Sequence, residues 1–139
     1  MKRLGFFFLF LLIGSLSVVA QNNEKAAIIK VIENEHRYFC ERNYEKWAAT
    51  FDQTENILWG NGINSSMKGW EAMDKTFKEF FANNPDPSEP SVRIEYDVTI
   101  TEDRAWVACL QINEKGNEGK RLTSLIKRDG EWKIAVLLF

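Results

Sequence analysis

The sequence is poor in the residues that build metal sites and disulfide scaffolds, with one histidine, two cysteines and three prolines in 139 residues. Because His36 stands alone, no site built from several histidines can form. Two cysteines, Cys40 and Cys109, are too few for a fold held together by disulfides, and two buried free thiols are favoured over a bridge between them. No G-x-S-x-G sequence and no phosphate-binding loop is present. The sequence therefore predicts neither a metal site nor a cofactor.

An excess of positive charge is also missing. The formal net charge is −2 at pH 7, and it becomes −4 if Lys2 and Arg3 are removed with the first 20 residues. Proteins that bind nucleic acid carry a basic patch, often with aromatic side chains interleaved, and no such cluster occurs here. We therefore predict that nucleic acid is not a partner.

The one long apolar run lies at the start of the chain, at residues 4–13. Lys2 and Arg3 precede it and small residues follow it up to Ala20, which is typical of an export signal cleaved before Gln21. An uncleaved membrane anchor is the alternative, but the run is shorter than the ~20 residues of a spanning helix. We predict a signal peptide at residues 1–20, a periplasmic or extracellular location without a membrane contact, and one mature domain at residues 21–139 with one core.

Helical periodicity is clearest in residues 25–39. On a helix with about 100° per residue, one side is apolar and carries Ile28, Val31, Ile32, Tyr38 and Phe39. Glu35 lies within this apolar side. A carboxylate there must find a partner, meet a water-filled cavity or lose its charge. Glu35 is therefore the first candidate for a functional residue.

Two further helices and a hairpin are expected before residue 90. Asn43 is a good N-cap for a second helix, and Asn61-Gly62 indicates a hairpin turn. Gly69 precedes a third helix with a strongly aromatic side, and the proline-rich residues 83–90 form a loop. The apolar side of the third helix carries Trp70, Met73, Phe77, Phe80 and Phe81.

After residue 91 the period changes from 3.6 to two, which predicts strands. Turns at Glu102-Asp103 and Asp129-Gly130 give two antiparallel hairpins. Helices followed by strands indicate an α+β fold, with three N-terminal helices on one face of an antiparallel sheet. In this register Tyr96 faces inward, and Arg121 shares the inner face with Val136. The outward side carries apolar residues that predict a homodimer interface, namely Trp106, Leu110 and Ile112.

Four short motifs, in this order, resemble the nuclear transport factor two-like superfamily, in its small exported SnoaL-like branch. They are NYEKW at residues 43–47, GWEAM at 69–73, AWV at 105–107 and RDGEWKI at 128–134. The resemblance implies a cone-shaped fold in which a curved sheet wraps around helices and an apolar cavity, often in a dimer. It does not settle function, because the superfamily includes isomerases, cyclases, dehydratases and non-catalytic domains.

The resemblance does not carry a catalytic site over to this chain. The catalytic Asp of the ketosteroid isomerase members corresponds to Trp59 here, and their helix-one tyrosine corresponds to Glu35. Many relatives carry polar side chains on the last strand, where this chain has Val136 and Leu138. The cavity is therefore expected to be more apolar than theirs.

Two functional hypotheses follow, and a binding domain for a small apolar ligand is favoured because no second acid–base group is evident. In the alternative, an isomerase or dehydratase type of enzyme, Glu35 acts as general acid or base because burial favours its neutral form. A third interpretation has the cavity filled by the protein's own rings. The predicted ligand-binding residues are Glu35, Phe39, Trp47, Trp59, Trp70, Phe77, Phe81, Tyr96, Arg121 and Val136.

Glu35 needs a partner if it stays charged. On the predicted hairpin register, Arg121 lies on the face that turns towards the cavity, and Tyr96 faces inward from the neighbouring hairpin. We therefore expect the Glu35 carboxylate to reach Arg121 or Tyr96.

Overall fold

The computed structural model describes residues 5–61 and 66–139, with side chains described from residue 20 onward. This part of the chain contains helices and strands in the predicted order. The helices are α1 (Gly5–Cys40), α2 (Tyr44–Ala48) and α3 (Trp70–Asn83). The strands are β1 (Leu58–Gly60), β2 (Ser66–Lys68), β3 (Val92–Thr101), β4 (Arg104–Ile112), β5 (Glu118–Arg128) and β6 (Glu131–Leu138). The predicted α+β fold is confirmed.

The described strands form one sheet in the order β2-β1-β6-β5-β4-β3. Neighbouring strands are antiparallel except β1 and β6, which pair in parallel with Trp59 opposite Leu137. The sheet is therefore mixed, where the sequence predicted an antiparallel one. This parallel pair places a tryptophan from the first hairpin beside the last strand of the domain.

The apolar side of α1 packs against the inner face of the sheet as predicted. Ile28, Ile32 and Glu35 are all buried. The description does not include the side chains of residues 1–19, and the signal peptide stays a prediction. The predicted turn residue Gly62 also lies outside the described residues. No helix in the described residues is long and apolar enough to cross a membrane.

An aromatic cluster occupies the middle of the core, with Trp47 fully buried at its centre. The Trp47 ring centroid lies 4.4 Å from that of Phe77 and 4.8 Å from that of Phe51. The ring centroids of Phe81 and Phe39 lie 5.5 and 6.4 Å from that of Trp47. Aromatic pairs at these separations stabilise a core beyond the area that they bury. α2 is short, and its Asn43 cap places Trp47 in this position.

A β-bulge interrupts the pairing of β3 with β4 between Ile94 and Asp97, where Glu95 has a φ of 56°. An extra residue at this point reverses the faces of all residues before it in the strand. Arg93 consequently lies opposite Gln111 on the inner side, while Ile94 and Val92 are exposed. The prediction that β3 alternates without interruption is therefore wrong before the bulge and right after it.

A second irregularity interrupts the pairing of β5 with β6, between Ser124 and Leu125. The predicted turn brings Arg128 opposite Glu131 and Leu125 opposite Ile134, but Thr123 then lies opposite Leu137 and not Val136. Leu137 thus takes the inner position that the sequence predicted for Val136. The extra residue on β6 causes the difference, because it shifts each later side chain to the other face.

Candidate functional site

A cavity of about 390 Å³ lies beside Glu35, between the end of α1 and the inner face of the sheet. Volumes near this value lie at the lower end of the range for small-molecule sites, roughly 300–1,000 Å³. One wall is aromatic, and we call Phe39, Trp59 and Phe139 the aromatic wall. The rings of Trp59 and Phe139 meet edge to face, with centroids 4.8 Å apart. Cys40 and Leu137 extend this apolar lining.

The polar side of the cavity is organised by an ion pair between Glu35 and Arg93. Arg93 Nη2 lies 3.3 Å from Glu35 Oε2, and the two side chains are only 6–7% exposed. The other carboxylate oxygen, Oε1, accepts a hydrogen bond from Trp47 Nε1 at 3.1 Å. Both oxygens of Glu35 are therefore engaged, one by a cation and one by a buried indole.

Arg93 is itself held at three points. Its Nη1 donates to the Ile32 carbonyl oxygen at 2.7 Å, and its Nε donates to Gln111 Oε1 at 3.1 Å. Together with the bond to Glu35, these contacts fix the guanidinium between α1 and β4. A charge that is paired and hydrogen-bonded in this way can remain buried. Glu35 and Arg93 thus act as one neutral structural unit in the wall of the cavity.

The predicted partners of Glu35 are corrected by this geometry. The carboxylate pairs with Arg93 in place of Arg121 or Tyr96. Arg121 lies in the same cavity with its guanidinium carbon 4.3 Å from the centre of the Phe139 ring. The Tyr96 hydroxyl points to Glu33 Oε1 at 3.5 Å, and burial together with the Glu33 charge raises the pKa of Tyr96 to about 12.

His36 lies at the edge of the cavity and holds the loop that follows α3. Its Nε2 accepts a hydrogen bond from the backbone N–H of Ser91 at 2.9 Å. Burial, and then the charges of Arg93 and Arg121, lower the pKa of His36 from 6.5 to about 4. His36 is therefore neutral at pH 7 and acts as a hydrogen-bond acceptor.

We expect the protein to lose stability between pH 6.5 and 5 because of His36. The unfolded chain binds a proton near pH 6.5, whereas the folded chain resists it down to about pH 4, so acid favours unfolding in this window. The loss over this interval should be about 1–2 kcal/mol, measured by urea unfolding at each pH. His36→Gln keeps an acceptor for Ser91 but does not titrate, so its stability should be flat there. Because the sequence contains no other histidine, a decrease in stability in this window is attributable to His36. A wild-type stability that does not change with pH there would contradict this assignment.

Four of the predicted ligand-binding residues come together in this cavity, namely Glu35, Phe39, Trp59 and Arg121. The others lie elsewhere. Trp47, Phe77 and Phe81 are buried in the aromatic core, and Trp70 lines a separate surface cavity at the start of α3.

Tyr96 borders a neighbouring groove, and Val136 lies on the outer face of the sheet. The sequence missed Arg93, Gln111, Leu137 and Phe139 as lining residues. Arg93 falls on the polar side of the alternating β3 sequence, as Glu95 and Asp97 do, so the sequence carried no signal that Arg93 lines the cavity. Among the described residues, no group of three His, Cys, Asp or Glu side chains could hold a metal ion.

Comparisons with known proteins identify the fold. No protein-family model matches the sequence, and no curated protein sequence matches it significantly. Several solved structures are similar, at low sequence identity. An NTF2-like protein of unknown function from Pseudomonas putida aligns with a TM-score of 0.66 and 13% identity, covering 84% of this chain and 85% of the other. An NTF-2 like protein of unknown function from Silicibacter pomeroyi aligns with a TM-score of 0.64 and 12% identity, covering 85% of this chain and 95% of the other.

A third similar structure comes from Novosphingobium aromaticivorans and is provisionally assigned as a scytalone dehydratase. It aligns with a TM-score of 0.64 and 17% identity, covering 87% of this chain and 85% of the other. At these identities the likeness shows the fold alone. The predicted nuclear transport factor two-like fold is confirmed, and the finer placement in an exported SnoaL-like branch stays a prediction.

Proposed function

We propose that this NTF2-like domain is an exported binding protein that holds a small, mainly apolar ligand in the cavity beside Glu35. The observation that carries the proposal is the cavity of about 390 Å³, which the aromatic core does not fill. Most of the core rings pack around Trp47, while the aromatic wall, whose Phe39 also contacts Trp47, lines the open space. Concave sites lined by aromatic groups with a few polar groups are the usual form of small-molecule sites.

The state of Glu35 supports binding over catalysis. A general acid or base must have an oxygen free to exchange a proton with the substrate. Here Trp47 occupies one oxygen of Glu35 and Arg93 pairs with the other. Glu35 therefore serves best as the acceptor that fixes Arg93 in the wall, and an isomerase or dehydratase activity based on it is not favoured.

Titration with 1-N-phenylnaphthylamine, a neutral dye that fluoresces in apolar sites, tests the proposal. Ser88 lies at the exposed rim of the cavity, so a Ser88→Trp side chain should obstruct the opening and weaken dye binding by about tenfold. Thr76→Trp adds the same ring on an exposed position of α3 and serves as the control. Dye affinity that is equal in both variants and in the wild-type protein would place the binding elsewhere.

We further propose that the outer face of the sheet forms a homodimer interface. Trp106 is 49% exposed, Leu122 41% and Ile94 37%, and they lie on neighbouring strands. Apolar side chains grouped on one sheet face are typical of a surface that a second copy covers. Leu110 pairs directly with Ile94 and extends the same patch.

A dimer should appear in sedimentation experiments as about twice the mass of the mature chain. Trp106→Lys places a charge in the middle of the patch and should shift the protein to monomer, because burying an unpaired charge is costly. Thr76→Lys, at an exposed position of α3, is the matched control. A wild-type protein that stays monomeric at all concentrations tested would refute the interface.

A further inference from the structure

Inside the cavity, away from its exposed rim, positive side chains outnumber negative ones. Two guanidinium groups, those of Arg93 and Arg121, line it together with one buried carboxylate, that of Glu35. Glu35 pairs with Arg93. None of the ion pairs among the described residues includes Arg121. Glu89 also lines the cavity, but at its exposed rim. Arg121, which is half-buried, therefore has no ion-pair partner of its own, although the Glu35 charge also acts on it.

Arg121 is placed to offer its donors to a ligand. Its guanidinium lies over the Phe139 ring at 4.3 Å, so one flat face is covered while the N–H groups at the edge remain available. A guanidinium has five N–H donors and accepts no hydrogen bonds. No described protein acceptor takes a hydrogen bond from Arg121, so these donors are free for a bound group. Burial, and then the nearby Arg93 charge, lower the pKa of Arg121 although the Glu35 charge acts in the opposite direction, and a bound anion would relieve the remaining cost.

The rest of the cavity lining indicates which kind of molecule the anionic group would belong to. The aromatic wall and Leu137 offer apolar surface within the same cavity, which a hydrated inorganic ion would leave uncovered. His36 is neutral and accepts a hydrogen bond from Ser91, so it adds no second cation.

We propose that this cavity selects an organic anion, with Arg121 binding the anionic group and the aromatic wall packing against an apolar body. Arg121 and a carboxylate match in geometry, because two parallel N–H···O bonds can form between them. The inference rests on the proposed ligand-binding function and adds the chemical class of the ligand to it.

Calorimetric titration with 2-naphthoate and 2-naphthamide tests the proposal, because the two compounds share a ring system and differ in charge. The wild-type protein should bind the acid at least about tenfold more tightly than the amide, a difference of about 1.4 kcal/mol. Arg121→Met should remove this preference while leaving amide binding nearly unchanged. Arg121→Lys keeps the charge but loses the planar fork, so it should retain part of the preference.

Lys120→Met is the matched control, since it removes the same charge from the neighbouring, exposed position on β5, whose side chain points to the other face. It should leave both affinities unchanged. Equal binding of acid and amide by the wild-type protein, or equal losses in Arg121→Met and Lys120→Met, would overturn the role of Arg121 and leave the cavity as a binding site. Binding of neither compound would overturn the proposed function as well.

Discussion

Arg93→Met should lower the unfolding midpoint by roughly 10–20 °C, which corresponds to a loss of about 3–5 kcal/mol. The substitution removes the cation that pairs with Glu35 and leaves a carboxylate that is only 6% exposed without its ion-pair partner. It also releases the Ile32 carbonyl oxygen and the Gln111 side chain from their donor. Thermal unfolding followed by circular dichroism measures the effect.

Two variants make this result specific to the buried pair. Arg37→Met removes an arginine that pairs with Glu41 at the surface, where both side chains are about half exposed, and should cost about 0–1 kcal/mol. The double variant Glu35→Leu with Arg93→Met removes both charges and should recover much of the loss, because neither member of the pair is then left as an unpaired buried charge. Equal midpoints for Arg93→Met and Arg37→Met would show that the pair contributes no more than a surface contact.

Trp47→Ala should destabilise the protein by about 3–5 kcal/mol. The side chain is fully buried, and its removal leaves a cavity at the centre of the aromatic cluster. It also deprives Glu35 Oε1 of its donor. Urea unfolding measures the loss, and a change below about 1 kcal/mol would contradict the central position of Trp47 in the core.

Trp47→Phe separates the two contributions of this side chain. The phenyl ring keeps most of the packing against Phe77 and Phe51, whereas the hydrogen bond to Glu35 is lost. We expect a smaller loss of about 1–3 kcal/mol, the cost of an unmade buried hydrogen bond. This variant also keeps the test informative if Trp47→Ala does not fold.

Local patterns in the sequence were sufficient to predict the helices and strands of the fold and the burial of Glu35. The 3.6-residue period of α1 places Glu35 among Ile28 and Ile32, and all three are buried. The two hairpin turns could also be predicted from local sequence. Thr101 lies opposite Arg104 and Arg128 opposite Glu131, as Glu102-Asp103 and Asp129-Gly130 predicted. Glu102 and Asp129 adopt positive φ values, which two-residue hairpin turns of this type require.

The positions of the aromatic residues in the sequence did not reveal which of them line the cavity. The sequence identified a ring-rich interior, but the division between core and cavity depends on contacts between distant segments. Trp47 and Phe77 pack on each other in the core, whereas Trp59 reaches the cavity because β1 pairs in parallel with β6. Nothing near Trp59 in the chain indicates that parallel pairing.

The partner of Glu35 was decided by tertiary structure alone. Strict alternation along β3 predicts that Arg93 faces outward, and only the bulge at Glu95 turns it towards α1. Because side chains alternate with a period of two, one extra residue exchanges the faces of a whole strand segment. The same reason explains why Leu137 replaced Val136 in the cavity. The local sequence determined that a buried carboxylate exists, and the long-range pairing of strands decided which cation neutralises it and which remains free.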